Sequence, residues 1–580
     1  MTLMDFTEKI AELLHKELDV EKKAILGIIE SPPDPKLGDY AVPCFIFAKQ
    51  LKKSPQIIAQ ELAEKLTKKN IAEDHQHFTL ITSNGPYLNF FINKGIYTKT
   101  ILAQIMKEKD QYGAREKQKE RVMIEFSQPN THKEFHVGHL RNISIGDSLV
   151  RIYCKLGYTV IAANYIGDMG SHVAKTLWCY LRNHANDEIP ANRGKYLGRI
   201  YAESSRLIDE DVGAKEEVSQ ILQKLEQKDP ATIALWKETR EWSLQQFKSI
   251  YDELGVHFDI YFFESEEEEE GKSIVKELQE KHIVTESEGA LLVDLKPYKL
   301  DVFLVLKSDG TSLYATKDLA LAQKKFEQFN IDKSYYVVDT RQSFYFQQLF
   351  KTLDLMGFKK DMHHIAYDFV TTKNGPMASR QGNVILYEDL KEKVLAKLES
   401  ETKKRHPDWS PEKIRGNASI IMYSALKFGM LKYDTNRIIV FDFDEWLSFD
   451  GETGPYIEYS YARINSIFRK LAKEKEIVAI EEFVLHADAT LLQQSNEIEL
   501  VKTLAKYPQV VENAAKEFKP STIAHYLLGL TQQFNEFYHA NPILTAEEHV
   551  MKARLLLIYC IRFVLQSGMD LLGFEAIEEM

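Results

Sequence analysis

The sequence predicts a helix-rich protein of several domains, built around an α/β domain with a parallel sheet. A short apolar run at residues 122–126 ends at a Pro-Asn turn, as a buried strand does. Apolar residues then recur at helical spacing over 138–156, and 158–163 is again typical of a strand. Strand, helix and strand in this order form a βαβ unit, which implies a parallel sheet with a right-handed crossover.

Composition supports this fold class and excludes several others. The 27 glycines and 17 prolines among 580 residues amount to about 8%, against about 12% on average, which favours helices over a turn-dense β protein. Because the net charge is −12, any contact with nucleic acid would have to use a local basic surface and not the overall charge of the protein. The four cysteines show no paired spacing, so neither a disulfide framework nor a zinc knuckle is indicated. With no signal-peptide or membrane-span pattern, we expect a cytoplasmic protein.

Domain boundaries follow from changes in pattern along the chain. Residues 1–115 predict a small α+β unit, with helices at 6–18 and 55–66 and an extended stretch at 85–91. The α/β domain is expected over 116–385, a helical connecting region over 386–446 and an α-helical bundle over 447–580.

A charged helical insertion, at about 175–285, interrupts the α/β domain. It contains the acidic run 266–270, which is expected to be a solvated helix face or loop, the alternative being a partner site. Strand-like segments at 290–295, 301–306, 335–338 and 365–370 predict that the same sheet resumes after the insertion.

The sharpest motif is His136-Val137-Gly138-His139, between the first strand and the following helix. A helix N-terminus offers unpaired N–H groups and positive potential to phosphate. Two imidazoles three residues apart can donate to phosphate oxygens, and the glycine lets an adenine ring approach the backbone. The alternative is that both histidines only cap or pack the helix.

A second motif, Pro-Met-Ala-Ser-Arg-Gln-Gly-Asn at 376–383, follows a strand-like segment. The two motifs resemble the HIGH and KMSKS signatures of class I aminoacyl-tRNA synthetases. The first signature with its surroundings, 126–141, is similar to that of the arginyl-tRNA synthetase family. The further segments similar to that family are 164–170, 314–320, 338–342, 454–463 and 571–580.

This resemblance implies a Rossmann-like catalytic domain, an N-terminal additional domain that touches tRNA and an all-α anticodon-binding domain. It also implies the activity: L-arginine is activated with ATP to arginyl-adenylate and then esterified to tRNA(Arg). ATP would be a substrate accompanied by Mg²⁺, with no permanently bound cofactor and no metal site of the protein's own, since no carboxylate cage is visible. We expect a monomer.

The family's arginine pocket maps onto Glu125, Asn130, His136, Tyr314, Asp318 and Gln342. Such a set suits a guanidinium, a planar fork of donors that is best held by a carboxylate, further acceptors and an aromatic wall. Asp318 follows Tyr314 by four residues and shares its helix face. The alternative is that Asp318 pairs with a protein base while Tyr314 packs in the core.

ATP is expected over the two signatures and over the end of the second strand. Asp168 would read adenosine or organise the adjacent loop, because open α/β sheets bind ligands at the carboxyl ends of their strands. The expected ATP-binding residues are His136, Gly138, His139, Gly167, Asp168, Met377, Ser379 and Arg380.

One departure from the KMSKS signature concerns its second lysine, which neutralises pyrophosphate. Ser379 stands in its place, and Pro376 replaces the first lysine. Members of the arginyl family commonly carry a lysine just before HIGH instead, which matches Lys133. Arg380 is a second candidate cation, and Lys133 as a solvated loop residue is the alternative. The catalytic set is therefore Lys133, His136, His139 and Arg380.

Recognition of tRNA is expected on the terminal bundle. Tyr456, Tyr459 and Arg463 lie at i, i+3 and i+7, one helix face with two stacking platforms and one cation, the combination that binds splayed bases. Met580 joins them by resemblance to the family. Each aromatic could instead belong to the core.

Three other functions remain open at the level of sequence. The first is a class I synthetase for another amino acid, against which Asp318 and Gln342 argue. The second is a nucleotidyltransferase, although those enzymes are far shorter. The third is an inactive paralogue that serves as an RNA-binding module, against which the intact signature argues. The insertion carries no editing signature, consistent with a polar pocket that already rejects analogues.

Overall fold

The structure is a computed structural model that describes residues 6–72, 77–211, 213–373, 375–376 and 384–580. The chain divides into two compact units. One comprises residues 1–112, 463–507 and 529–564, and the other comprises 113–462, 508–528 and 565–580. Of the helices in the described residues, none has both the length and the apolar composition needed to cross a membrane.

The strands of the described chain are β1 (Tyr40–Pro43), β2 (Phe78–Asn84), β3 (Tyr87–Ile92), β4 (Arg121–Glu125), β5 (Thr159–Ile166), β6 (Ile260–Phe263), β7 (Val284–Ser287), β8 (Ala290–Asp294), β9 (Val302–Leu306), β10 (Lys333–Asp339), β11 (Asp361–Tyr367), β12 (Val370–Thr372), β13 (Gly375–Pro376) and β14 (Ile439–Phe441).

The helices are α1 (Phe6–Leu18), α2 (Lys22–Leu26), α3 (Ala48–Leu51), α4 (Pro55–Ala72), α5 (Lys94–Glu108), α6 (Val137–Lys155), α7 (Ser171–Cys179), α8 (Arg193–Glu210), α9 (Ala214–Glu226), α10 (Pro230–Glu253), α11 (Glu268–Glu280), α12 (Tyr314–Phe329), α13 (Ser343–Leu355), α14 (Tyr387–Arg405), α15 (Pro411–Leu431), α16 (Phe443–Trp446), α17 (Gly454–Lys475), α18 (Ile480–Leu485), α19 (Ser495–Lys516), α20 (Ser521–Ala540) and α21 (Glu548–Leu571).

The larger unit contains the predicted parallel sheet, in the order β11-β10-β4-β5-β6. Every neighbouring pair of these strands is parallel. The apolar residues of β4, Val122 to Ile124, are fully buried, as expected for a strand covered on both faces. The βαβ unit predicted from the sequence is therefore β4-α6-β5.

One expectation about this sheet is wrong. The segments predicted at 290–295 and 301–306 do not rejoin it but form a separate antiparallel sheet, β7-β8-β9. In β9, buried and more exposed residues alternate, as in a strand with one covered face, whereas a strand inside the parallel sheet is covered on both. The place at the edge of the parallel sheet belongs to β6, whose short run was not recognised.

The predicted insertion is helical up to α10 and folds there around its own core, whereas β6 inside its predicted range is a strand of the parallel sheet. Helices α7 to α10 pack about Leu177, Trp178, Val218 and Trp236. The acidic run is largely solvated, as expected, with Glu266, Glu269 and Glu270 exposed at or just before the start of α11. The exception is Glu267, which is 1% exposed and pairs with Lys324. Carboxylates in the first turn of a helix are favoured by its dipole.

The smaller unit joins the predicted N-terminal α+β region to several helices of the terminal bundle. Its antiparallel sheet has the order β1-β3-β2. Asp39 accepts the Ile92 N–H at 3.0 Å and pairs with Lys502 of α19 at 3.0 Å. Tyr112 donates its hydroxyl to the Leu504 carbonyl. Residues from both parts of the chain therefore share this unit.

In the larger unit, the end of the chain is held by a buried carboxyl group. Glu458 of α17 accepts the Ile577 N–H at 2.8 Å and is 0% exposed. Its second oxygen has no hydrogen-bond partner among the described residues. Burial raises the pKa of Glu458 to about 8. The protonated form is therefore the one that the fold prefers.

This pKa gives stability a defined pH dependence. The contribution of protonated Glu458 is complete below about pH 4.5, the ordinary pKa of glutamate, and is lost as pH rises to about 8. Glu458→Gln resembles the protonated form, so we expect its melting temperature to exceed that of the wild type increasingly from pH 5 to pH 8. Calorimetry at several pH values measures this difference. A difference that stays constant over that range would contradict the buried-carboxyl argument.

Candidate active site

The parallel sheet creates a crevice where its strand order reverses. From β4 the chain proceeds to β5 and β6 on one side, and later returns to β10 on the other side of β4. In open α/β sheets, ligands bind at such a switch point, outside the carboxyl ends of the strands. Glu125 ends β4 and Asp339 ends β10, so both carboxylates lie at this point.

A cavity of about 310 Å³ opens beside Glu125. Five of the six residues expected to bind arginine line it: Glu125, Asn130, Tyr314, Asp318 and Gln342. The sixth, His136, lines the neighbouring cavity instead. Tyr314 and Asp318 lie in the first two turns of α12, where their spacing puts both toward the cavity.

The charges around this cavity leave one carboxyl group without a cation. Glu125 pairs with the buried Lys325, and Glu264 pairs with Lys317 at 2.8 Å. Asp318 accepts the Tyr345 hydroxyl at 2.5 Å, and within the described residues no ion pair to it is found. Burial raises the pKa of Asp318 to about 7. A cationic ligand group would restore it to the ionised form.

A second cavity, of about 240 Å³, adjoins the first at the start of α6. Val338 lines the first cavity and the next residue, Asp339, lines the second, so the two cavities are neighbours. His136, Gly138 and His139 line this second cavity, which is therefore the candidate nucleotide cavity.

The two signature histidines both cap α6 and present donors. The Nδ1 of His136 accepts the Gly138 N–H, and the Nδ1 of His139 accepts the His136 N–H, each at 3.1 Å. An accepting Nδ1 assigns the proton of a neutral imidazole to Nε2. Burial, followed by the charge of Lys133, lowers the pKa of His136 to about 4, and burial also lowers that of His139. Capping thus leaves each Nε2–H to donate.

The loop between β4 and α6 adopts unusual backbone conformations. Ser127, Gln128 and His132 have φ values of 76°, 43° and 64°. Helix α10 of the insertion holds this loop: Tyr251 bonds the Ser127 hydroxyl at 2.8 Å, and Thr239 bonds His132 Nε2 at 2.8 Å. Strained residues persist only where the surroundings over-determine them. The insertion therefore supports the first signature.

Two residues expected to bind ATP, Gly167 and Asp168, are not among the described residues that line the cavity beside His136. Gly167 lines the first cavity. Asp168 is 0% exposed and its carboxylate accepts Ser265 N–H at 2.9 Å and Ser265 Oγ–H at 2.8 Å, while Arg240 pairs with it at 2.8 Å. Of the two roles anticipated for Asp168, this geometry matches organisation of the adjacent loop.

The candidate cations are only partly within the described chain. Lys133 lies with its Nζ 5.3 Å from the centre of the Tyr201 ring, and burial together with Lys175 lowers its pKa. Met377, Ser379 and Arg380 lie outside the described residues. Just after them, the Val137 N–H donates to Ile385 at 3.0 Å and the Tyr387 N–H donates to Phe135 at 3.0 Å.

Sequence reasoning missed several residues of the first cavity, above all Lys325, Glu264 and Tyr345. Lys325 had a detectable signal, because it follows Asp318 by seven residues on α12 and so shares its face. Glu264 and Tyr345 lie near the ends of other elements, and no pattern in the sequence connects them with this cavity.

The residues expected to bind the anticodon lie on α17, apart from Met580. Tyr459 is 40% exposed. Arg463 donates to Asn535 at 2.7 Å, and its guanidinium lies 5.1 Å from the centre of the Tyr538 ring. Met580 lines a small pocket with Arg405 and Trp409.

With Tyr459 as the base-stacking residue that the resemblance implies, Tyr459→Ala is expected to raise the KM for tRNA, because losing one stacking platform costs about 1–3 kcal/mol of binding. Aminoacylation at varied tRNA concentration measures the effect. Arg463→Ala serves as the comparison, since its contacts with Asn535 and Tyr538 predict a lower melting temperature. Loss of stability in Tyr459→Ala with intact tRNA affinity would identify Tyr459 as a core residue.

Comparison with known proteins agrees with the fold. Residues 101–445 match the family described as the catalytic domain of class I (R) tRNA synthetases. Residues 457–580 match the DALR anticodon-binding domain, and 4–92 match the arginyl-tRNA synthetase N-terminal domain. The parallel sheet, its switch-point cavities and the catalytic-domain match define a class I aminoacyl-tRNA synthetase.

Full-length relatives specify the family further. The arginine–tRNA ligase of Halothermothrix orenii is 36% identical and that of Clostridium perfringens 38%, each over 100% of both chains. The structure of Thermus thermophilus arginyl-tRNA synthetase is similar over 100% of both chains, with a TM-score of 0.80 and 27% identity. The chain belongs to the arginyl-tRNA synthetase family.

Proposed function

We propose that the protein joins L-arginine to tRNA(Arg), with arginine in the cavity beside Asp318 and ATP in the cavity beside His136 and His139. The observation that carries the proposal is the unpaired carboxyl group of Asp318 in a switch-point cavity that adjoins the capped end of α6. A guanidinium would satisfy that carboxyl group with two parallel hydrogen bonds.

The residues present can position the two substrates for adenylate formation. Asp318 and the Tyr314 ring would hold the guanidinium end, so that the arginine carboxylate points toward the nucleotide cavity. That carboxylate attacks the α-phosphate, and pyrophosphate leaves. The Nε2–H groups of His136 and His139 would stabilise the charge that develops on phosphate. Catalysis then consists of positioning and electrostatic stabilisation, without a covalent enzyme intermediate.

Mg²⁺ would be held mainly by the phosphates of ATP. The carboxylate that lines the nucleotide cavity, Asp339, is engaged in two 2.8 Å hydrogen bonds with Arg341. Among the described residues, that cavity has no cluster of carboxylates suited to a hard cation. The ion would neutralise phosphate charge during the displacement.

ATP–pyrophosphate exchange tests the function. We expect exchange with L-arginine and not with L-lysine, whose ammonium lacks the planar fork, and we expect esterification of tRNA(Arg). Running the exchange assay with and without tRNA(Arg) shows whether tRNA is required for activation. Exchange with another amino acid, or RNA binding without any exchange, would support the competing interpretations.

Lys133→Ala is expected to lower kcat for adenylate formation by about 10²-fold, because the leaving pyrophosphate loses a cation. Single-turnover kinetics measures the step. Arg380→Ala is the comparison, since either side chain could serve this charge. If Arg380→Ala loses activation while Lys133→Ala keeps it, Lys133 is a loop residue without this role.

A further inference from the structure

We propose that the helical insertion contains a site for a divalent transition-metal ion of the zinc class, formed by Cys179, His184 and Glu203. One donor atom of each residue lies within 4.8 Å of the others. A thiolate, an imidazole and a carboxylate are all zinc ligands. The site is part of the larger unit and none of its residues lines the arginine or the nucleotide cavity.

An irregular turn of helix brings two of the ligands together. Cys179 ends α7, and a π-helical turn follows over Tyr180–His184. In an α-helix, residues five apart point about 140° away from each other, whereas the wider π turn brings them onto nearly the same face. Glu203 of α8 supplies the third donor. π turns of this kind occur often at functional sites.

Each polar ligand already has a partner that fixes its orientation. The Nδ1 of His184 lies 2.7 Å from an oxygen of Asp187, which itself accepts the Tyr196 hydroxyl at 2.9 Å. Asn183 donates to Glu203 Oε1 at 3.0 Å. Metal-binding histidines typically donate their second ring nitrogen to a carboxylate, so Asp187 has the position of an outer-shell partner.

The three donor atoms lie close together, and two of them are in direct hydrogen-bond contact. His184 Nε2 and Glu203 Oε2 are 2.9 Å apart, and the buried Cys179 thiol is beside them. Tetrahedral zinc with bonds of about 2.0–2.3 Å separates its ligands by about 3.3–3.7 Å. A small opening of the His184–Glu203 contact would therefore admit the ion, and water would complete the coordination.

The test uses tag-free, full-length protein freed of metal with a chelator and titrated with Co²⁺ alone. We expect one equivalent to bind, with the visible bands of tetrahedral cobalt and a near-ultraviolet thiolate-to-cobalt charge-transfer band. Zn²⁺ should displace Co²⁺ and raise the melting temperature, because an ion that binds only the folded state stabilises it. A wild-type protein that shows neither band would overturn the proposal.

Variants identify the ligands. Cys179→Ser should remove the charge-transfer band, and His184→Gln and Glu203→Gln should each abolish tight binding. Asp187→Asn should weaken Co²⁺ binding about 10- to 100-fold, as loss of an outer-shell partner does. Cys154→Ser and His257→Gln are the matched controls, since both residues are exposed and lie outside the cluster.

The variants can also refute the site. Binding that persists in His184→Gln and Glu203→Gln would place the ion elsewhere and overturn the proposal. Because these two residues are partly exposed, their variants decide the question even if the buried Cys179→Ser does not fold. Binding lost in either control variant would show that the ion depends on residues outside the cluster, which also overturns it.

Discussion

Asp318→Asn is expected to reduce kcat/KM for arginine in ATP–pyrophosphate exchange by about 10³-fold. Glu125 and Glu264 are each paired with a lysine, so Asp318 is the carboxylate of this cavity that is left for the guanidinium. Removing one partner of a buried charge pair costs about 2–5 kcal/mol. ATP binding should survive, because Asp318 does not line the nucleotide cavity. Asp354→Asn, an exposed aspartate of α13 paired with Lys351, is the matched control and should change little.

The pKa of Asp318 gives this prediction a second readout. The carboxyl group has a pKa of about 7 without ligand, and the guanidinium binds its ionised form. Arginine affinity should therefore be constant above pH 7 and fall by up to tenfold for each pH unit below it, with a proton released on binding. Calorimetry in buffers of different ionisation enthalpy measures that proton. Asp318→Asn should lack this dependence, and an unchanged KM for arginine in the variant would refute the pocket assignment.

His136→Asn is expected to lower kcat for adenylate formation by about 10²- to 10³-fold with little effect on ATP binding. The asparagine oxygen can still accept the Gly138 N–H, so the cap on α6 is kept while the Nε2 donor is lost. Loss confined to kcat is the mark of an interaction that is made in the transition state.

Comparison of two replacements separates capping from catalysis. His136→Gln places an amide donor near the former Nε2 position but removes the short cap, so it should retain more activity and melt lower than His136→Asn. Single-turnover rates and melting temperatures of both variants test this order. Equal rates in the wild type and in His136→Asn would show that His136 serves only the helix.

Much of the fold was predictable because local patterns determine it. The boundaries of α1 agree with the sequence, and β4, α6 and β5 lie within a few residues of their predicted positions, since each has a clear apolar period. Strand partners were less predictable. An apolar run such as 290–295 identifies a strand without specifying its sheet, and the four residues of β6 are too few to give a pattern.

For the candidate site, too, local features were predictable from the sequence and contacts between distant segments were not. Motif and resemblance predict that Tyr314, Asp318 and Gln342 share one site, and all three line the same cavity. Neither the motif nor the resemblance could show that Lys325 forms an ion pair with Glu125. That ion pair leaves Asp318 as the carboxylate available to a ligand. Such pairing depends on distances between β4 and α12, which are about 200 residues apart along the chain.

The left-handed residues between β4 and α6 have a consequence for evolution and engineering. Each of Gln128 and His132 holds a conformation that costs side-chain-bearing residues roughly 1–3 kcal/mol, which glycine would largely avoid. Selection for thermal stability alone would thus favour glycine at the partly exposed Gln128, whereas the burial and hydrogen bonds of His132 oppose it there. Gln128 lines the cavity proposed for arginine, and His132 connects the loop to α10. A library screened only for heat resistance should therefore accumulate changes in this loop that a screen for charged tRNA removes.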